Sequence, residues 1–222
     1  MISFKEQIEL FEIIGKELNE ETECFAVGGT AMMFYDLKDS TKDVDLVFTD
    51  RKSLNEVKFA LDKSGFKEKT NVKIFRNYEV AETMPIMMEG KKTRFDLFYR
   101  EIICFKLSET IIDRVKEVHE FGNLIVKIVS LEDIVLLKSA TERKKDRDDA
   151  SEIIRKANIK WDIIIKEAFH QTELNKPLFV VFLYDFLLEL KEDFKAEIPD
   201  NILKELLKMS ENEMVKRLKK KI

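Results

Sequence analysis

Asp43 and Asp45 stand one residue apart at the head of an apolar run, "DVDLVF". On a strand, residues two apart project from the same face. Both carboxylates therefore point together, while Val44 and Leu46 turn the other way into a core. Like charges this close repel and resist burial, so the pair belongs either in a surface turn that opens the strand or around a cation. Mg²⁺ prefers hard oxygen ligands and suits such a pair. Upstream, Gly28 and Gly29 follow a short apolar stretch and precede a helical one, with Thr30 adding a hydroxyl at the helix start. Glycine lets the backbone approach a phosphate closely, and the start of a helix favours anions. A third acid, Asp96, lies in "TRFDLFYR", where Phe95, Leu97 and Tyr99 face one way and Arg94, Asp96 and Phe98 the other. If that strand lies beside the Asp43 strand, three carboxylates converge, as metal-assisted phosphoryl or nucleotidyl transfer requires. The plainer alternative for Asp96 is an ion pair with Arg94 or Arg100.

These residues need elements to position them. "SFKEQIELFEIIGKEL" has apolar residues at helical spacing, with Ser3 and Glu6 as a capping box. "CFAVGG" reads as a short strand ending in a glycine turn, "TAMMFYDL" as a brief helix, and "DVDLVFT" as a strand. "RKSLNEVKFALDKSG" is a helix closed by Gly65. Strands are expected near Lys73–Arg76 and Pro85–Met88, and "TRFDLFYR" alternates as a strand. "SETIIDRVKEVHEFG" reads as a helix ending at Gly122, and "LIVKIV" as a strand. From Ser130 onward the pattern is almost wholly helical. A strand-rich first half and a helical second half make an α/β (α+β) protein.

In order, Gly28-Gly29-Thr30, a dozen residues, Asp43-Val44-Asp45 and the later Asp96 resemble the polymerase-β-type nucleotidyltransferase superfamily. The context "STKDVDLVF" is similar to the branch that contains the AbiEii-like nucleotidyltransferases, many of them toxins of toxin–antitoxin pairs. The later "SLEDIVLLKSATERKKDRDDASEII" is similar to that branch as well. There a helix lysine followed by a Lys-Asp-x-x-Asp run helps define the nucleotide site, and the matching positions are Lys138, Lys145, Asp146 and Asp149. The last third of the chain reads only as helical. The resemblance implies a nucleotidyltransferase domain over 1–129, built on a small mixed sheet flanked by helices, and a helical bundle over 130–222. It implies Mg²⁺, with Mn²⁺ as an alternative, held by Asp43, Asp45 and Asp96, which would also be the catalytic acids. Gly28, Gly29, Thr30 and Lys138 would hold the triphosphate of an NTP, with Lys145 assisting. The acceptor hydroxyl would belong to an RNA end, a protein or a small molecule, and a cognate antitoxin protein is an implied partner.

Plainer readings stand beside these. Lys138 sits within "IVLLKSA", where apolar flanks require its ammonium to snorkel or to reach an anion. In "ERKKDRDDASE", Lys144–Asp148 and Lys145–Asp149 are i,i+4 pairs suited to an exposed helix. His119 and His170 read as surface or helix-end residues, and Met32, Met33 and Trp161 as core. The basic tail "KRLKKKI" fits a helix C-terminus as well as it fits RNA.

Composition narrows the remaining classes. Of 222 residues, 45% are hydrophobic and 37% charged, a globular balance. The formal net charge of -4 and pI of about 5.5 provide no general basic field for nucleic acid. Cys24 and Cys104 stand apart, with no spacing suited to zinc, which suits a reducing cytoplasm. Lys5, Glu6 and Glu9 precede any long apolar run and argue against a secretory signal. "LFVVFLYDFLLEL" is too short to span a bilayer. The expectation is a cytoplasmic, Mg²⁺-dependent nucleotidyltransferase. The alternative is a catalytically inactive nucleotide- or partner-binding module. A phosphohydrolase is disfavoured by the lack of a His-Asp dipeptide or histidine cluster.

Overall fold

The computed structural model describes residues 1–69, 84–174 and 178–219. The strand expected at Lys73–Arg76 lies outside them. The chain divides into two compact units, Met1–Ser130 and Leu131–Ile222.

The first unit is built on a mixed sheet, seven-stranded among the described residues. The chain runs β1 (Ile2–Ser3), α1 (Phe4–Glu17), β2 (Thr22–Ala26), α2 (Gly28–Phe34), β3 (Ser40–Thr41), β4 (Asp43–Phe48) and α3 (Arg51–Lys63). It continues with β5 (Lys67–Glu68), β6 (Ile86–Glu89), β7 (Arg94–Tyr99), β8 (Glu101–Ile102), β9 (Phe105–Lys106), α4 (Glu109–Asp113), β10 (Glu117–Phe121) and β11 (Leu124–Ile128). The main sheet has the order β10-β11-β2-β4-β7-β6-β5, and β1–β3 and β8–β9 form separate ribbons. Strand β4 runs antiparallel to β2 and parallel to β7. Both are central strands, and their apolar residues Val44, Leu46, Val47, Phe48, Phe95 and Leu97 are buried. The helices α1 and α3 pack on the sheet and on each other, and α2 packs against β4.

Local chemistry places the ends of these elements. The Ser3–Glu6 capping box is formed at α1, and Asp50 caps α3 by accepting the Ser53 N–H at 2.8 Å. Gly15 lies where α1 meets the β10–β11 hairpin. A Cβ built there would fall 1.5 Å from the Phe121 carbonyl oxygen, so only glycine permits the contact. The expected helix over "SETIIDRVKEVHEFG" is corrected. Only Glu109–Asp113 is helical, and Glu117–Phe121 pairs antiparallel with Leu124–Ile128 as a hairpin.

The second unit is helical: α5 (Leu131–Ser139), α6 (Lys144–Lys156), α7 (Trp161–Leu174), α8 (Phe179–Glu192) and α9 (Asp200–Lys219). Helix α5 is buried along nearly its whole length and contacts α6, α7 and α8. Helix α8, the "LFVVFLYDFLLEL" segment, buries Phe179, Val180, Leu183, Phe186, Leu187 and Leu190 while Asp185 stays exposed. Among the described residues no helix is long and apolar enough to cross a membrane.

Candidate active site

The sheet register brings the three aspartates to adjacent strands. On β4 and β7, Asp43 lies opposite Arg94, and Asp45 lies opposite Asp96. Side chains opposite one another share a face, so Asp43, Asp45, Arg94 and Asp96 stand on one side of the sheet. Val44, Phe95 and Leu97 are buried on the other.

The glycine turn is sewn to the same strand. The Val27 N–H donates to the Asp45 carbonyl at 3.3 Å, and the Asp45 N–H donates to Thr30 Oγ1 at 2.8 Å. Thr30 is fully buried, so its hydroxyl fixes the height of the turn relative to Asp45. Gly28 has φ +55°, and a Cβ there would lie 3.3 Å from Asp45 Oδ2. A left-handed backbone and a carboxylate at its flank both favour glycine here. A Cβ on Gly29 would fall 3.0 Å from Thr41 Oγ1 and 3.7 Å from Cδ and Cε of Lys38. The turn is thus bordered by a carboxylate, a hydroxyl and the stem of a lysine. Thr41 in turn donates to the Asp43 carbonyl at 2.9 Å, and Thr93 ties β7 to β4 by donating to the Lys42 carbonyl at 2.8 Å.

Arg94 is the cation of this cluster. Its Nη2 donates to Asp96 Oδ2 at 2.8 Å and lies 3.3 Å from Asp43 Oδ2. Its Nε approaches Asp96 Oδ1 to 2.6 Å, but neither of these two buried atoms has a hydrogen bond of proper geometry. Burial pushes the Asp96 carboxyl above its ordinary value, and the hydrogen bond and charge of Arg94 do not offset this. Burial also opposes the charge on Arg94, but the hydrogen bond to Asp96 and the charges of Asp96, Asp43 and Asp45 outweigh it and push the guanidinium up.

Hard carboxylate oxygens on adjacent strands fit Mg²⁺ or Mn²⁺, and Asp96 Oδ1 is a buried acceptor without a donor aimed at it. The acids are not closed around an ion, however. Among the described residues no group of three Asp, Glu, His or Cys side chains is disposed to hold a metal, and between Asp43 and Asp96 lies the Arg94 guanidinium.

The second unit places Lys138 and its neighbours in a buried ion cluster of their own. Lys138 Nζ donates to Asp146 Oδ1 at 2.9 Å and to Asp149 Oδ2 at 2.6 Å. Asp146 also accepts from Arg143 Nε at 2.8 Å and from the Thr141 hydroxyl. Burial opposes charge on Asp146, yet Lys138, the Thr141 hydroxyl and Arg143 hold its carboxyl below its ordinary value. Lys145 is exposed. Lys138 and Lys145 are seven apart and would share a face of one continuous helix, but the chain leaves α5 after Ser139 and re-enters a helix at Lys144. The i,i+4 reading of Lys145–Asp149 is likewise incomplete, since Asp149 reaches back to Lys138.

Two residues beside the acids lay outside the expected site. The sequence offers Arg94 only as an ion-pair partner for Asp96, and its place two residues earlier on the strand sets it on the same face. Lys38 carries no signal in the sequence, and the fold alone lays it along Gly29. His119 lies tilted against Phe34, with ring centroids 4.6 Å apart, and pairs with Glu117 at 2.8 Å.

The chain belongs to a family described as a nucleotidyltransferase of unknown function (DUF6036), whose profile matches residues 4–185. Among solved structures it is similar to ANT(2″)-Ia in complex with adenylyl-2″-tobramycin, at 14% identity and TM-score 0.41, over 83% of this chain and 98% of that one. It is also similar to an antigenic nucleotidyltransferase-like protein from Paracoccidioides brasiliensis, at 17% identity and TM-score 0.49, over 91% of this chain and 98% of that one. No curated protein matches the chain.

Proposed function

We propose that this nucleotidyltransferase moves a nucleoside monophosphate from an NTP to an acceptor hydroxyl and uses Asp43, Asp45 and Asp96 as its metal-holding, catalytic acids. The observation that carries the reading is the strand register, which sets Asp45 opposite Asp96 and places Asp43 on the same face, with Gly28 against the Asp45 carboxylate. Mg²⁺ or Mn²⁺ bound by these acids would neutralise triphosphate charge and polarise the reacting phosphate. Asp96 would bind the second metal and, as a carboxylate, help take the proton from the acceptor hydroxyl. Gly28 and Gly29 leave room for β/γ-phosphate oxygens, Lys38 borders that room with a cation, and Thr30 holds the turn at its distance from Asp45. Lys145 is one of several exposed cations of α6, and the sequence resemblance is what assigns it an assisting role at a phosphate. Lys138 serves the triphosphate only by exchanging Asp146 and Asp149 for it. The acceptor is an RNA end, a protein side chain or a small molecule. A toxin role with a cognate antitoxin, as in the AbiEii-like branch, rests on the sequence resemblance.

The experiment is label transfer. The protein is incubated with Mg²⁺, each α-³²P-labelled NTP, and total RNA or lysate protein, beside the Asp43→Ala/Asp45→Ala variant. Label on RNA or protein that the variant abolishes is the expected result and names the acceptor class. Absence of label in every lane, with NTP still raising the wild-type melting temperature, favours the inactive binding module or a small-molecule acceptor. Label that persists in the variant removes the two aspartates from the mechanism.

A further inference from the structure

We infer that Arg94 is a resident counter-ion of the carboxylate site, which a divalent metal must displace before the site is loaded. The inference rests on the metal-binding reading of Asp43, Asp45 and Asp96 given above.

Three carboxylates on one face of two adjacent strands need a cation to stand together. Arg94 supplies it from within the sheet. It lies opposite Asp43 in the register and two residues before Asp96 on the same strand, so its fork reaches both acids. The contacts at 2.8 and 3.3 Å use Asp96 Oδ2 and Asp43 Oδ2, oxygens that a metal would need. Nε also stands 2.6 Å from Asp96 Oδ1 as an ion pair, though without hydrogen-bond geometry. The Arg94 side chain is 30% exposed, which leaves it a route out to solvent.

Displacement need not strand the guanidinium. A planar fork of donors suits phosphate oxygens as well as carboxylates. Metal and triphosphate arriving together would exchange partners, the metal taking the acids and the phosphate taking Arg94. Metal arriving alone would have to evict Arg94 into water. The device thus couples metal binding to nucleotide binding.

The test measures Mn²⁺ binding by the intact protein, from the electron paramagnetic resonance of the free ion, for wild type, Arg94→Gln and Asp45→Asn. A latch closed about nine-tenths of the time raises the apparent Kd about tenfold, so Arg94→Gln should bind Mn²⁺ about tenfold more tightly than wild type. In EDTA its melting temperature should fall below that of wild type, and Mn²⁺ should restore it. Asp45→Asn should lose the binding. Equal or weaker binding by Arg94→Gln overturns the latch and leaves the metal site standing. Binding retained in full by Asp45→Asn, or no binding by wild type and Arg94→Gln with or without NTP, overturns the metal reading itself, and the latch with it. Should Arg94→Gln fail to fold, the Arg94 Nε–H resonance of the wild-type protein decides. A shift that tracks Mg²⁺ occupancy is the expected result, and an unmoved signal at saturation overturns the proposal.

Discussion

Replacing Lys138 by methionine should destabilise the second unit severely. The substitution keeps the length of the stem and removes the ammonium, whose side chain is 5% exposed. Its partners are Asp146, also buried, and Asp149, whose side chain is 13% exposed. Removing one member of a buried ion pair costs about 3–5 kcal/mol, because the remaining charge is left uncompensated. Asp146 keeps Arg143 and the Thr141 hydroxyl and Asp149 is near solvent, so the loss falls at the lower end, about 3 kcal/mol. With a urea m-value of about 2 kcal/mol/M, the midpoint should fall by about 1.5 M. Trp161, the one tryptophan of the chain, opens α7, so its fluorescence follows this unit directly. Adding Asp146→Asn and Asp149→Asn to Lys138→Met should recover part of the loss, because the stranded charges go with their partner. An unchanged midpoint in Lys138→Met refutes the argument from burial. If KM for the NTP rises while the midpoint holds, Lys138 belongs to the triphosphate instead of the scaffold.

Asp146 should also shape the acid limb of stability. Its folded-state carboxyl titrates below the ordinary 3.8, so its contribution is full above that value and is lost as pH falls through the lower, folded one. Asp146→Asn should flatten the urea-midpoint profile below about pH 4, where the unfolded carboxylate begins to protonate, and an acid limb as steep as wild type would contradict this. Thr30→Val leaves the Asp45 N–H without its acceptor and should cost about 1–3 kcal/mol in chemical denaturation, whereas Thr30→Ser should retain most of the stability; equal losses in the two would place the effect in packing. Gly28→Ala forces a Cβ into a left-handed backbone beside Asp45 Oδ2 and should cost about 1–2 kcal/mol, read as a lower melting temperature together with weaker NTP-dependent stabilisation.

Much of the fold was legible because its local signals agreed. The Ser3–Glu6 box, the helical run closed by Gly65 and the alternation of "DVDLVF" each point to the element found. The hairpin over Glu117–Ile128 was not legible, and the reason is specific. Ile111, Ile112, Val115 and Val118 recur at helical spacing, and Gly122 suits the end of a helix. The same glycine, at φ +61°, serves a tight hairpin turn equally well. What decides is β11, whose pairing with Glu117–Phe121 is non-local and leaves Val118 48% exposed. A helix there would have left the outer edge of β11 without a partner.

The candidate site divides along the same line between local and non-local information. That Asp43 and Asp45 share a face follows from the pleat alone, and that Asp96 is a lone acid on an apolar strand is plain in "TRFDLFYR". That Asp96 meets Asp45 depends on a parallel pairing across a long stretch of chain, which no local pattern encodes. Once the pairing is granted, Arg94 follows by the same period-two rule, because any residue two before Asp96 must share its face. From sequence, an arginine partner and a metal are alternatives for Asp96. On the proposal that Arg94 gives way to a metal, they become successive claims on the same oxygens. For Lys138 the sequence argument was sound in its physics, since an ammonium among apolar flanks must find an anion. It stopped short because Asp146 and Asp149 come within reach only after the chain breaks between α5 and α6. A helix continued through Thr141 would carry Asp146 more than two turns beyond Lys138, out of reach of its ammonium. The break at Ala140–Arg143 is what lets α6 return its first turns to the lysine, so the interruption of the helix and the burial of the charge are one event.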